Sequence, residues 1–131
     1  MSDACLQLIL ESVMSSRNKE VVEKVNASFA ANNLEGFLAQ CAEDVEWTMV
    51  GEKTCKGKQA IREWIKSMPA EPPVFTVATL IAEGDLVMAQ GDMTMNETEQ
   101  KAVPYSYCDI YRFRGDKISE LKSFVIKTEA P

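Results

Sequence analysis

The sequence predicts an α+β domain in which helices come first and an antiparallel sheet curls around them. Two observations carry that expectation. Apolar residues recur at helical spacing through residues 1–41 and again through 58–68. From Val74 onward, four segments rich in strand-forming residues follow one another. They are separated by Gly84-Asp85, Asn96–Gln100 and Gly115-Asp116, which is the turn chemistry of a meander. Helices grouped before strands indicate α+β rather than alternating α/β.

Residues 1–15 read as a helix of about three turns, with Leu6, Ile9, Leu10, Val13 and Met14 near one face. It is free to pack on the domain body or on a second subunit. Ser15 and Ser16 break it and can cap the next helix. That helix runs from about Arg17 to Asn33, with an apolar stripe of Val21, Val22, Val25, Phe29 and Ala30. Asn32-Asn33 stops it. Leu34 to Cys41 is a short third helix, and Val45 to Val50 alternates as a strand. Gly51 to Gly57 is a polar connection. Lys58 to Met68 is a helix with Ile61, Trp64, Ile65 and Met68 inward, ended by Pro69, Pro72 and Pro73. Strands follow at 74–83, 86–95, 102–114 and 118–128. The 131 residues form one domain, of which 1–15 are an additional N-terminal helix.

Composition narrows the function. Hydrophobic residues at 46% and charged residues at 26% are ordinary for a globular chain. The net charge of −6 argues against nucleic acid, whose phosphates require clustered Lys and Arg, and against anionic membranes. The N-terminal apolar run is too short to span a bilayer, and no basic residue precedes it as in a signal peptide, so a cytoplasmic location is expected. Cys5, Cys41, Cys55 and Cys108 lack metal-ligand spacing and read as structural thiols in a reducing compartment. Cys55 and Cys108 would be nucleophiles only with a base beside them. The chain has no histidine, so acid–base chemistry must fall on Asp, Glu, Tyr, Cys or Lys. No metal site and no cofactor are expected.

One strand carries the best candidate site. Alternation along residues 105–113 puts Tyr105, Tyr107, Asp109, Tyr111 and Phe113 on one face. A carboxylate among four aromatics, if buried, is either satisfied by a partner such as a tyrosine hydroxyl or Lys122, or kept neutral. The alternative acid, Asp92, points away from that face by alternation with Val87, Ala89 and Gly91. A bulge at Gly91 would reverse this.

Four landmarks in order carry a resemblance. They are Asn32-Asn33-Leu34-Glu35-Gly36-Phe37, Ala42-Glu43-Asp44-Val45-Glu46-Trp47, Gly57-Lys58-Gln59-Ala60-Ile61-Arg62-Glu63-Trp64, and Asp109-Ile110-Tyr111-Arg112-Phe113 ahead of Gly115-Asp116-Lys117-Ile118. Over residues 17–128 the chain resembles the SnoaL-like and ketosteroid-isomerase-like branch of the nuclear transport factor 2 superfamily. The resemblance implies a cone-shaped, cystatin-like α+β barrel: a strongly bent antiparallel sheet around the N-terminal helices, with a deep apolar pocket and homodimers through the outer sheet face. It implies that Asp109 matches the isomerases' protonated, oxyanion-side acid. Their general-base position falls on Met49 and their tyrosine position on Val25, so the proton-abstracting group is not matched. In polyketide-cyclase relatives the last strand carries acids where this chain has Ser123 and Ile126. The expectation is therefore a small apolar, carbonyl-bearing ligand. Asp109 and Tyr107 would supply any chemistry, and Trp47, Met49, Trp64, Tyr105, Tyr111 and Ala89 would line the pocket. The alternatives are a non-catalytic ligand-binding module and a dimerisation or adaptor domain.

Overall fold

A computed structural model describes residues 2–68, 73–98 and 101–128. The elements are α1 (Asp3–Ala30), α2 (Leu34–Leu38), β1 (Cys41–Met49), β2 (Lys53–Lys56), α3 (Lys58–Lys66), β3 (Val74–Glu83), β4 (Leu86–Thr98), β5 (Lys101–Arg114) and β6 (Lys117–Lys127). Pro69 and Pro72, expected to end a helix, Gln100 of an expected turn, and Met1 lie outside the described residues.

The helices expected at 1–15 and 17–33 are one helix of 28 residues. Ser15 and Ser16 do not interrupt it, because serine in a helix interior costs only a fraction of a kcal/mol, roughly 0.5, relative to alanine. Its end is where expected. Asn32 takes a left-handed φ of 56°, and the Asn32 and Asn33 amides donate back to the carbonyls of Phe29 and Ser28 at 3.0 and 2.8 Å. That pair of bonds satisfies the last carbonyls of the helix. Asn33 then starts α2, its Oδ1 accepting the Gly36 amide at 3.1 Å. The short third helix stops at Leu38, so Cys41 opens β1 instead of ending a helix. The polar connection at 51–57 contains the four-residue strand β2, paired antiparallel with β1. Only Cys55 of that strand is buried, so it carries no alternation a sequence reading would detect.

Six strands form one curved, unclosed sheet in the order β2-β1-β6-β5-β4-β3. All neighbours are antiparallel except β1 with β6, which are parallel. Left-handed glycines at Gly84 and Gly115 close the β3–β4 and β5–β6 hairpins, with φ of 59° and 66°. The concave face of the sheet packs against the second half of α1 and against α2 and α3. Val22, Val25, Phe37, Leu38, Val45, Ile61, Val87, Tyr111, Ile118 and Leu121 form the buried core. This is the cone-shaped α+β arrangement the sequence predicted.

Candidate functional site

Strand register builds the site row by row. Asp109 on β5 stands opposite Ala89 on β4 and Ser123 on β6, and Ser123 stands opposite Met49 on β1. One transverse row of the sheet is therefore Ala89, Asp109, Ser123, Met49. The adjacent row is Val87, Tyr111, Leu121, Trp47. On the other side Tyr107 stands opposite Gly91 and Val125. The concave face thus gathers Trp47, Met49, Ala89, Tyr107, Asp109 and Tyr111. Trp64 joins from α3, its ring 5.2 Å from that of Trp47 in an edge-on contact. Tyr105 lies further along β5, beside a hollow of about 510 Å³ that Val74, Thr76, Met93 and Pro104 also line.

Asp109 is linked to Ser123. The Trp47 indole N–H donates to the Ser123 hydroxyl oxygen at 2.9 Å, so Ser123 directs its own proton to the Asp109 carboxylate. Burial nevertheless dominates and pushes the Asp109 carboxyl up to about 6, while the Ser123 hydrogen bond opposes that rise. By surface area the residue is half-buried, but its carboxyl lies deep enough for desolvation to decide its protonation.

The expected alternative partner, Lys122, faces outward and lies 3.6 Å from Glu120. The reason is a bulge. The β5–β6 hairpin pairs Phe113 with Ile118 but Arg112 with Glu120, which leaves Ser119 extra. That one residue shifts the register so that Ser123, and not Lys122, shares a face with Asp109.

The tyrosines divide. Tyr107 donates its hydroxyl to the Thr76 carbonyl at 2.8 Å, across Gly91. A Cβ on Gly91 would overlap the Thr76 carbonyl oxygen and press on the Tyr107 hydroxyl, so the glycine makes that reach possible. Burial, with the Asp109 and Asp92 charges, pushes the Tyr107 hydroxyl up to about 12. Tyr111 is fully buried and its hydroxyl has no partner. Burial first, then the Asp109 charge, raises it well above the ordinary phenol range. Among the described residues, Asn18 on α1 is the other buried one with an unpartnered donor, its Nδ2. Sequence reasoning passed over Asn18 and Ser123 as site residues. Helical spacing places Asn18 on the Val21, Val22, Val25 face, and that is the signal that could have found it.

Asp92 points away from the site, and Ser106 donates to its Oδ1 at 3.1 Å. The register shift in this part of the sheet lies between Val77 and Thr79 on β3, so β4 runs regularly through Gly91. Burial acts on two of the thiols. Burial raises the Cys108 thiol and pushes the Cys41 thiol up to about 12, and Cys41 donates to the Phe37 carbonyl at 3.3 Å. Among the described residues no three Cys, Asp or Glu converge as metal ligands, and no helix is long and apolar enough to cross a membrane.

The profile of the SnoaL-like domain family matches residues 22–121. The chain belongs to the SnoaL-like family. No curated protein matches it in sequence. Solved structures with the same fold include an NTF2-like protein of unknown function from Burkholderia pseudomallei, 20% identical, covering 82% of this chain and 88% of that one at a TM-score of 0.77. An LEH-like epoxide hydrolase from M. tuberculosis is 12% identical, with 86% and 84% covered and a TM-score of 0.75. A ketosteroid isomerase candidate from Kribbella flavida is 16% identical, with 89% and 83% covered and a TM-score of 0.75. At these identities the likeness establishes the fold and not the reaction. The SnoaL-like match begins at Val22, so the first two-thirds of α1 precede it.

Proposed function

We propose that this SnoaL-like protein binds a small, flat, mostly apolar molecule carrying a carbonyl or hydroxyl oxygen, and that Asp109 exchanges a proton with it. The observation that carries this reading is the carboxyl itself. An acid placed among aromatics costs stability, which a purely structural position avoids by using an apolar residue. With its pKa raised to about 6, Asp109 is mostly ionised at neutral pH but close enough to neutrality to take up and return a proton. An apolar ligand that displaces the remaining water drives the carboxyl further toward its neutral form. It then serves as the hydrogen-bond donor that the isomerase resemblance implies. Tyr111 has the uncommitted hydroxyl on the same face, whereas the Tyr107 proton is held by Thr76. Met49 and Val25 carry no proton-transfer group, so the isomerases' usual base has no counterpart at those positions.

The hollow nearest the two indoles, of about 520 Å³, lies between β2 and α3 and is lined by Cys55, Ala60 and Trp64 with Lys53 and Lys56; it does not itself reach Asp109. Trp64 packs on Trp47, and Trp47 holds Ser123, which holds Asp109. A ligand that moves the two indoles therefore acts directly on the acid. Cys108, Ile110, Phe124 and Ile126 lie on the convex side of the sheet by alternation, and we assign a homodimer contact to that face.

The test is a panel of apolar ketones and phenols of two to four fused rings, assayed for binding and for deuterium exchange beside the carbonyl. Asp109→Asn is expected to lower affinity or exchange at least tenfold. Equal affinity and rate in both proteins would remove Asp109 from the site. A second reading, a binding module without chemistry, is favoured by the Phe29, Phe37, Trp47 and Trp64 rings. Their paired rings lie 4.9–5.8 Å apart, an aromatic surface suited to a flat ligand and without a titratable group. Asp109-dependent binding without exchange would select it.

A further inference from the structure

The N-terminal half of α1 stands off the domain. Every residue from Ser2 to Met14 is exposed, and Leu6, Leu8, Ile9, Leu10, Val13 and Met14 expose between 39% and 66% of their surface. Except for Leu8, these side chains form one stripe. That stripe does not continue the face by which α1 packs on the sheet. At ~100° per residue, the Leu6, Ile9, Leu10, Val13 stripe lies roughly 140° around the helix from the buried Asn18, Val22 and Val25. The domain body therefore cannot cover it.

We propose that the stripe pairs with the same stripe of a second copy, the two helices running antiparallel about a midpoint at Ile9–Leu10. Three features select this occupant. The stripe is self-complementary, because an antiparallel arrangement about that midpoint sets Leu6 beside Val13 and Ile9 beside Leu10 of the other chain. The charges agree. Asp3 and Arg17 stand at the two ends of the segment, within one residue of equidistant from the midpoint, and among the described residues neither makes an ion pair within its own chain. Antiparallel pairing brings each Asp3 to the other chain's Arg17, whereas parallel pairing stacks Asp3 on Asp3 and Arg17 on Arg17. Residues 2–16 carry only acidic charges, Asp3 and Glu11, which disfavours an anionic lipid surface as the partner. This contact is separate from the sheet-face contact and from Asp109, and it stands if either of those fails.

The test is the solution mass of the full chain by sedimentation or light scattering across micromolar concentrations. Ile9→Asp with Leu10→Asp, both at exposed positions, is expected to halve the mass while the circular dichroism stays that of the folded protein. Arg17→Glu is expected to weaken association at least fivefold, and adding Asp3→Lys to restore it. An unchanged mass in the Ile9→Asp, Leu10→Asp protein overturns the proposal. So does a double charge swap that fails to recover association. If the mass is unaffected but phosphatidylcholine vesicles co-sediment the unaltered chain and not the Ile9→Asp, Leu10→Asp variant, the stripe is a membrane contact and the proposal is equally overturned.

Discussion

Burying Asp109 makes the stability of the fold depend on pH with a definite sign. Its carboxyl titrates near 6 in the fold, against an ordinary value of 3.8. Below the ordinary value the group is neutral in both folded and unfolded chains and costs nothing. Between the two values the unfolded chain ionises first, so stability falls as pH rises. Above 6 the penalty levels off at about 3 kcal/mol. Asp109→Asn should therefore match the unaltered protein near pH 3 and exceed it by up to about 3 kcal/mol at pH 8, as read by urea unfolding at each pH. A difference that does not vary with pH would contradict this. Ser123→Ala removes the one hydrogen bond that lowers the Asp109 value, so the midpoint should move further upward. It also strands the Trp47 indole N–H, at about 1–3 kcal/mol. The acid was legible in the sequence because alternation alone places it with the tyrosines. Its partner was not, because a single extra residue at Ser119 decides whether Lys122 or Ser123 faces it, and nothing in the sequence marks that bulge.

At the scale of elements, the sequence reading succeeded where periodicity is strong and chain punctuation is chemical. The Asn32-Asn33 stop, α3 and the four successive antiparallel strands from Val74 onward follow from such signals. It failed where a signal is weak or double. Two serines were read as a break that a long helix tolerates. The polar strand β2 was read as a loop because only Cys55 turns inward. Gly91 shows how one position serves an element and the site together. Its missing side chain lets β3 approach and lets Tyr107 reach Thr76. Gly91→Ala should cost about 1–3 kcal/mol through overpacking and release the Tyr107 hydroxyl. The release would be read as a fall in the Tyr107 titration midpoint from about 12, and an unchanged stability and midpoint would refute the role given to this glycine.

At the scale of the molecule, the family was legible because four short landmarks sit in order along one chain, and the sheet topology agrees with them. The reaction was not, because the fold supports many sites and the residues that would complete an isomerase are Met49 and Val25 here. What this chain adds is a buried carboxyl hydrogen-bonded by Ser123, which in turn accepts from the Trp47 indole. The most direct measurement is a carbon-13 NMR titration of the Asp109 carboxyl, alone and with a bound fused-ring ketone. We expect a midpoint near 6 in the free protein and a higher one with the ketone. A midpoint near the ordinary 3.8, unmoved by any ketone that binds, would contradict the assignment of Asp109 as the working group of the site.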